Sequence, residues 1–363
     1  MKFKAQKEVL FNAIQTVQNV ITPKAVLPIL SNILIANHQE KLRLVATDLD
    51  IGISCVIVVD IQEAGTIAIP AKRFSDIIRE LPGDEVNITT KKNNLVVIET
   101  GVCQFKILGL PGEEFPKLPE FQDREAVKLE QATLKQMLNL TAFAVSFDEL
   151  RYILNGILFK IQKNILTLVA TDGKRLAIIE RKLKQDIDKE LSIIVPIKTI
   201  QELNRNLGEE GELSLVLGHN QALFDLGRVT IISRLIEGEF PDYQTVIPAV
   251  SENKMQVDRQ QLLLAFKRAA LLATPDYQVV KLEIFKNKLV ISKSTPDVGE
   301  SQEEISIGYQ GKEMAVGFNP NYMIDVLKNL HEETIGLEVT DSEKPGVIRT
   351  DGYIYIISPM RLG

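Results

Sequence analysis

The sequence is short of nearly everything that advertises chemistry. Its 363 residues hold two cysteines, Cys55 and Cys103, and three histidines, His38, His219 and His331. The cysteines are far apart and outside any metal-ligand spacing, so they read as reduced strand residues of a reducing compartment. The histidines are scattered and read as surface residues, and no Ser/His/Asp set can be built around them. There is no glycine-rich phosphate loop of the Walker or dinucleotide kind. No apolar run approaches bilayer length. Met1-Lys2-Phe3-Lys4 leads into a polar-interrupted helix, not a secretory signal core, which makes the cytoplasm the expected compartment. Nor is there a basic excess: 42 Lys and Arg face 48 Asp and Glu, a formal net charge of −6. Taken as an average, that balance argues against a nucleic-acid partner. The remaining composition, 45% hydrophobic and 25% charged, is that of an ordinary globular chain.

What the chain does have is repetition. Leu44-Val45-Ala46-Thr47-Asp48 recurs unchanged at Leu168-Val169-Ala170-Thr171-Asp172. Ile69-Pro70-Ala71-Lys72 returns as Val195-Pro196-Ile197-Lys198, and Phe115-Pro116 as Phe240-Pro241. A period of about 125 residues is domain-sized, not a solenoid unit, and a more degraded third copy fits the remaining length. Three homologous domains are expected, over 1–125, 126–250 and 251–363, with charged joints at 120–125 and 251–254.

Each copy opens with an amphipathic helix. The expected apolar faces are Val9, Leu10, Ala13, Ile14 and Val17; Leu134, Met137, Leu138, Ala142 and Val145; and Leu262, Leu263, Phe266, Ala270 and Ala273. Period-2 strands follow, such as Leu42, Leu44 and Ala46, with hairpin turns at Asn93-Asn94 and Lys163-Asn164. A second helix is expected over 71–81, 197–207 and 320–330, with Pro70, Pro196 and Pro320 at its start, where a missing N–H costs nothing. Two helices and about eight strands per copy give an α+β class, with helices packed on antiparallel sheets.

Acids are missing from particular places. There is none from Val9 to Gln39, none from Gln131 to Phe147 and none from Arg259 to Pro275, although a 17-residue window should hold about two. These are the three opening helices, the first with its following loop. Their exposed positions carry Gln15, Gln18, Lys24, Lys135, Gln136, Asn139, Arg259, Gln260, Lys267 and Arg268. The second helices add Lys72, Arg73, Arg79, Lys198, Arg205 and Lys328, diluted by Asp76, Glu202 and Asp325. One shared surface facing a polyanion would explain the pattern. It would touch phosphates without reading sequence, so binding should be weak and salt-sensitive. The other acidic feature, the Asp-x-Asp pair Asp48 and Asp50, is matched in the second copy by Asp172 but by Lys174. A metal pair should not lose half its charge between copies that keep the fold, so a strand-end turn is the better reading. No catalytic residue, metal or cofactor is expected.

At this point several segments together resemble one family. They are Met1-Lys2-Phe3, Leu27-Pro28-Ile29-Leu30-Ser31-Asn32, Ala46-Thr47-Asp48-Leu49 and Arg151-Tyr152-Ile153-Leu154-Asn155-Gly156. The others are Ala170-Thr171-Asp172-Gly173-Lys174-Arg175-Leu176, Gly238-Glu239-Phe240-Pro241-Asp242-Tyr243 and Pro359-Met360-Arg361-Leu362. In order and spacing they are similar, from end to end, to the bacterial sliding clamps, the β subunits of DNA polymerase III. The resemblance implies a non-catalytic, head-to-tail homodimer. Six similar units would form a ring, with helices lining a hole through which duplex DNA passes.

It also implies sites. The lining positions matched are Lys24, Arg79, Arg151, Tyr152 and Lys198. A pocket for short peptide motifs of the replicative polymerase, the clamp loader and repair polymerases matches Leu154, Thr171, Gly173, Lys174, Leu176, Pro241, Val246, Asn319, Tyr322, Ile356, Ser358, Pro359, Met360 and Arg361. The dimer seam matches Leu271 and Leu272 on one side and Arg73, Phe105 and Ile107 on the other, with the acidic run Asp297, Glu300, Glu303 and Glu304 facing Lys106. The chain departs from the family pattern in several places. Lys174 stands where histidine is common, Ser358 where methionine is common, Thr245 where a basic residue is frequent, and Asp148 where a neutral polar residue is usual. Glu343 and Pro345 occupy a rim that is often apolar or small. Two rival readings remain at this level: an open scaffold that binds peptides only, and an enzyme using Asp48 and Asp172.

Overall fold

The computed structural model describes every residue except 23–26, 120, 122–125, 186, 188–189, 252–253 and 363. Lys24, most of the expected joint at 120–125 and half of that at 251–254 therefore lie outside the described residues. Among the described residues six α-helices come in three pairs: α1 (Lys7–Gln18) and α2 (Ala71–Glu80), α3 (Gln131–Thr141) and α4 (Ile197–Asn206), α5 (Arg259–Ala270) and α6 (Pro320–Asn329).

The opening helices bury the expected stripe with small corrections. In α1, Leu10, Ala13, Ile14 and Val17 are buried, but Val9 is 36% exposed and lies off the face. In α5, Leu262, Leu263 and Phe266 are buried, and Ala269 takes the place expected of Ala270. Asp258 caps α5, its carboxylate accepting from the Gln261 N–H at 2.7 Å. The prolines also divide. Pro320 sits in the first turn of α6, while Pro70, the N-cap of α2, and Pro196, directly before α4, are at the same time the last residues of strands, paired with Asn32 and Gly156. Both expected hairpins are present, with φ of 62° and 58° at Asn93 and Asn94 and of 50° and 62° at Lys163 and Asn164. Two consecutive left-handed residues are what a tight hairpin turn of the right twist requires.

The chain folds as two compact units, 1–135 with 198–235 and 136–197 with 236–363. The first unit holds a five-stranded sheet, ordered Asp60–Glu63, Lys2–Gln6, Glu85–Thr90, Leu95–Thr100 and Cys103–Leu108. Its nine-stranded sheet joins strands of the first and second copies, and the joint is the antiparallel pair Ile51–Ile57 and Val229–Arg234. The second unit holds a twelve-stranded sheet that joins the second and third copies through Arg175–Lys182 and Tyr353–Ile357. One rule covers both joints: the fourth strand of a copy pairs with the last long strand of the next copy.

Two strands of this kind are left over. Cys103–Leu108, the last long strand of the first copy, pairs among the described residues only with Leu95–Thr100. Gly299–Gly308, the fourth strand of the third copy, pairs along its length with Lys288–Thr295. On its other side it meets Lys254–Asp258 only through Ile307 and Gly308. Among the described residues, its Gly299–Ser306 edge is open.

The connector after each last strand packs back on the sheet. Leu110 pairs with Ala68, Ile236 with Ile194, and Met360 with Gly317. After the first, Phe115 and Leu118 cover Val45, Ala68 and Leu34. After the second, Phe240, Tyr243 and Ile247 cover Leu158, Val169, Leu176 and Ile194.

Candidate functional site

The repeated Leu-Val-Ala-Thr-Asp string encodes a turn. Asp172 Oδ1 accepts from the backbone N–H of Lys174 at 2.8 Å and of Arg175 at 3.0 Å. The Thr171 hydroxyl accepts from Gly173 N–H at 3.0 Å and donates to the Arg175 carbonyl at 2.6 Å. The first copy builds the same turn from Asp48 and Thr47, with Asp48 accepting from Asp50 and Ile51 at 3.0 and 2.8 Å. The middle residue is left-handed in both, at φ +80° for Leu49 and +84° for Gly173. Asp48 and Asp172 thus spend their oxygens on backbone amides and a neighbouring cation. No group of three metal-ligating side chains occurs among the described residues.

Beneath the second turn lies Arg175, a residue sequence reasoning passed over. Its Nε donates to Asp172 Oδ2 at 3.0 Å, its Nη1 to Asp325 Oδ2 at 2.7 Å and its Nη2 to the Phe143 carbonyl. The guanidinium lies 4.3 Å from the centre of the Tyr322 ring and 5.6 Å from that of Phe143. Burial works against its charge, but the Asp325 bond, with Tyr355 and Asp172, outweighs that and holds its pKa above the ordinary arginine value. Arg175 thereby ties the end of the opening helix segment, the turn and α6 together. The only signal in the sequence was an arginine three residues after a turn aspartate.

Around this turn several expected pocket residues meet. Leu176 and Ile356 are opposite one another across the strand joint and share a buried cluster with Leu158, Val169, Ile178, Ile194 and Val347. Ser358 N–H donates to the Lys174 carbonyl at 2.9 Å, and Met360 N–H to the Gly317 carbonyl at 2.8 Å. Asn319 caps α6, accepting from Asn321 N–H at 2.9 Å, and Tyr322 lies under Arg175. Leu154 adjoins Ile153 of the cluster, and Pro241 and Val246 lie on the connector whose Phe240 and Tyr243 pack there. Pro359 is half-buried, while Gly173 and Arg361 are exposed. Leu176 and Ile356 are themselves buried beside the polar turn, and the apolar surface left for an extended peptide is offered by half-buried Leu154 and exposed Val246.

The expected lining residues are more committed than the sequence suggests. Arg79 is paired with Asp76 and Glu80, each at 3.0 Å. Arg151 donates to the Asp172 carbonyl at 3.3 Å and lies 3.8 Å from Asp148, while Tyr152 is exposed. Lys198 is ion-paired with Asp48 and reaches the Val20 carbonyl at 3.4 Å. One turn along α4, Glu202 is buried and its Oε2 has no hydrogen-bond partner among the described residues. Burial pushes its carboxyl above the usual range, against the opposing pull of Arg205, Asn19 and Lys198. Of the expected seam residues, Phe105 and Ile107 lie on the open strand Cys103–Leu108. Arg73 is exposed on α2, and Leu271, just after α5, is 81% exposed beside half-buried Leu272.

Comparison with known proteins gives one answer along the whole chain. Family models of the DNA polymerase III beta subunit match residues 1–119 (N-terminal domain), 128–242 (central domain) and 244–361 (C-terminal domain). The beta sliding clamp of Chlamydia pneumoniae is 33% identical over 363 residues, covering 100% of this chain and 99% of that one. That of Pseudomonas putida is 34% identical, with 100% of both covered. Among solved structures, the sliding clamp of Bacillus subtilis is similar at a TM-score of 0.95 and 31% identity, with full coverage of both chains. A Pseudomonas aeruginosa clamp solved with griselimycin is similar at a TM-score of 0.95, 33% identity and full coverage.

Proposed function

This chain belongs to the DNA polymerase III beta subunit family, the beta sliding clamps. From that membership and its own open sheet edges we infer that it is a DNA-encircling processivity factor, not a catalyst. The observation that carries the reading is the pairing rule between copies. Two joints of the rule are satisfied within the chain, and one last strand and one fourth strand are left over among the described residues. Head-to-tail pairing of two chains satisfies both leftovers at both seams and leaves no open end. The result is a ring of six copies, with proposed domain limits at 1–125, 126–250 and 251–363.

The register follows from the joints already present. Cys55 is opposite Val229, and Ile179 is opposite Tyr353. The same alignment sets Glu303 against Cys103 of the partner subunit and Glu300 against Lys106 of the partner subunit. Phe105, Ile107 and Arg73 then approach Leu271 and Leu272, which gives the exposed leucine a partner.

The acid-free helices α1, α3 and α5 form the proposed lining, with Lys24, Arg79, Arg151 and Tyr152 toward duplex DNA. The ring holds by closure, so the contacts need only be weak. The floor of Leu176 and Ile356, with Leu154, Val246 and Tyr322 around it, is the proposed peptide pocket. It would take short motifs of the replicative polymerase, the clamp loader and repair polymerases. Griselimycin, with which the Pseudomonas aeruginosa and Bartonella birtlesii clamps were solved, is a ready probe for it. No helix among the described residues is long and apolar enough to cross a membrane, and a replication clamp belongs in the cytoplasm with the chromosome.

The test compares retention on nicked circular and linear duplexes of equal length after loading. Retention on the circle and loss from the linear ends is expected; equal retention on both overturns encirclement. A chain that stays monomeric in solution, with or without Leu272→Ala, would instead support the open scaffold.

A further inference from the structure

In each copy the carbonyl two residues beyond the opening helix accepts a hydrogen bond from a side chain. In the first copy α1 ends at Gln18, and the Val20 carbonyl accepts from Lys198 Nζ at 3.4 Å. In the second α3 ends at Thr141, and the Phe143 carbonyl accepts from Arg175 Nη2. In the third α5 ends at Ala270, and the Leu272 carbonyl accepts from the Thr295 hydroxyl at 2.6 Å. The first two donors depend on the following copy, because Lys198 is on α4 and Arg175 is ion-paired with Asp325 of α6. In a ring, the copy following the third is the first copy of the partner subunit. Thr295, however, is a strand residue of the third copy itself.

A second internal tie lies beside it. Lys293, two residues back on the same face of the strand Lys288–Thr295, donates from Nζ to the Tyr277 carbonyl at 2.8 Å. Lys293 is 4% exposed and Thr295 3%. Burial holds the Lys293 ammonium below the usual lysine range. The register that aligns Glu303 with Ile179 and Cys55 sets Lys293 at the position of Ala170 and Ala46, both fully buried. A buried ammonium is costly, and two copies of the fold do without it. What Lys293 reaches is the loop 271–278. Thr274 and Tyr277 close the tip of that loop through reciprocal backbone bonds of 3.2 and 3.1 Å. Asn319 Nδ2 donates to Gln278 Oε1 at 3.0 Å. The loop is thus held at Leu272, Tyr277 and Gln278, although Leu271 at its start is largely exposed.

We propose that Lys293 is a positioning residue for ring closure. With Thr295 it fixes loop 271–278 from within the chain, so an open ring presents Leu271 and Leu272 in the arrangement that a closed ring uses. At the two joints within the chain, the next copy is always there to order the corresponding loop. The seam has to open for a circular duplex to enter, and order supplied by the partner would be lost at each opening. Ordering a loop on association weakens binding, and preorganisation removes that cost. This rests on the seam reading above.

The test uses the full chain with a single fluorophore in the loop. The sequence contains no tryptophan, so Tyr277→Trp supplies the only one. Phe105→Asp breaks the seam from its other side and gives a monomer with the loop untouched. The readout is the fast local component of the tryptophan anisotropy decay. It should be small in that monomer, grow when Lys293→Met is added, and shrink again when Lys293→Met alone is driven to dimer at high concentration. Sedimentation should show the dimer Kd of Lys293→Met raised about tenfold, the cost of fixing roughly one backbone residue on association. Thr295→Val, which removes the neighbouring tie without the charge, should move both readouts the same way. Equal local components in the monomers with and without Lys293→Met overturn the proposal and leave the seam reading intact. A weaker dimer accompanied only by an earlier urea midpoint, with no local component, would be simple loss of stability and would also overturn it. If Phe105→Asp left the dimer intact, the seam reading itself would fall, and this inference with it.

Discussion

Cys55 faces Val229 across the first joint as a non-hydrogen-bonded pair, because the flanking Val56 N–H donates to the Arg228 carbonyl at 3.0 Å. Ile179 and Tyr353 repeat the relationship at the second joint, where Glu180 N–H donates to the Gly352 carbonyl at 2.8 Å. In antiparallel sheets such pairs bring their Cα atoms to about 4.5 Å. That separation lies within the reach of a disulfide.

The first prediction follows directly. At the proposed subunit seam the equivalent pair is Glu303 and Cys103 of the partner subunit, and one of the two is already cysteine. The single substitution Glu303→Cys should therefore give a covalent dimer on mild oxidation, seen on a non-reducing gel and reversed by dithiothreitol. Cys55 is buried and should not compete. Glu303→Cys also removes the Arg268 partner, held at 2.7 Å. Gln302→Cys, one residue out of register, therefore serves as the control. Crosslinking of the control with none at position 303 would place the register elsewhere.

A second prediction concerns Arg175. Truncating it as Arg175→Met leaves Asp172 and Asp325 without their shared cation and the Phe143 carbonyl without its donor. Loss of one partner from a largely buried charge network costs about 2–4 kcal/mol, with the partial exposure of Asp325 favouring the lower end. Urea unfolding should show that loss as an earlier midpoint. Peptide affinity should fall as well, because Tyr322 loses the cation stacked on its ring. A variant of unchanged stability would mean that the network is ornamental.

These residues also show what was legible beforehand. The repeated Thr-Asp string announced a turn and, through its spacing, the triplication, because local hydrogen bonds from Asp48 and Asp172 are set by neighbouring residues alone. The helical faces were readable to within a position, since burial follows a 3.6-residue period. Arg175 was not legible: its partners Phe143 and Asp325 come from distant parts of the chain. Lys198 looked like a free cation for the same reason, since its partner Asp48 belongs to the preceding copy. The resemblance named seam residues on both open strands, but the pairing rule and register became readable only once two satisfied joints existed to define them.

A third prediction concerns pH. Glu202 is 3% exposed, and burial raises its carboxyl pKa above the unfolded value. For a group whose folded pKa is raised, the stabilising contribution is fully present below the unfolded pKa, near 4.5. It is lost as pH rises through the higher folded value, because the native state binds the extra proton. Glu202→Gln mimics the protonated form at every pH. Its stability should therefore fall less than that of wild type between acid and neutral pH, as followed by thermal melts across that range. Arg205 is itself more than half exposed, so water takes over the solvation of its charge when the pair is lost. A variant that tracked wild type at every pH would show that Glu202 keeps its proton balance unchanged on folding.

The last prediction separates the basic residues of the proposed lining. A cation that neutralises a phosphate releases about one counterion, so its removal lowers the salt slope of duplex binding by about 1. Lys198 is already neutralised by Asp48 and held to the Val20 carbonyl, so it has little charge left to offer DNA. Lys198→Ala should leave the slope of log K against log salt nearly unchanged and instead weaken the first joint, lowering the unfolding midpoint. Lys24→Ala should do the opposite, reducing the slope at little cost in stability. Arg151→Ala should fall between them, because its guanidinium is exposed but shared with the Asp172 carbonyl. If Lys198→Ala reduced the slope as much as Lys24→Ala, the Asp48 pair would have to open on contact with DNA, and the first joint would then be part of the binding surface.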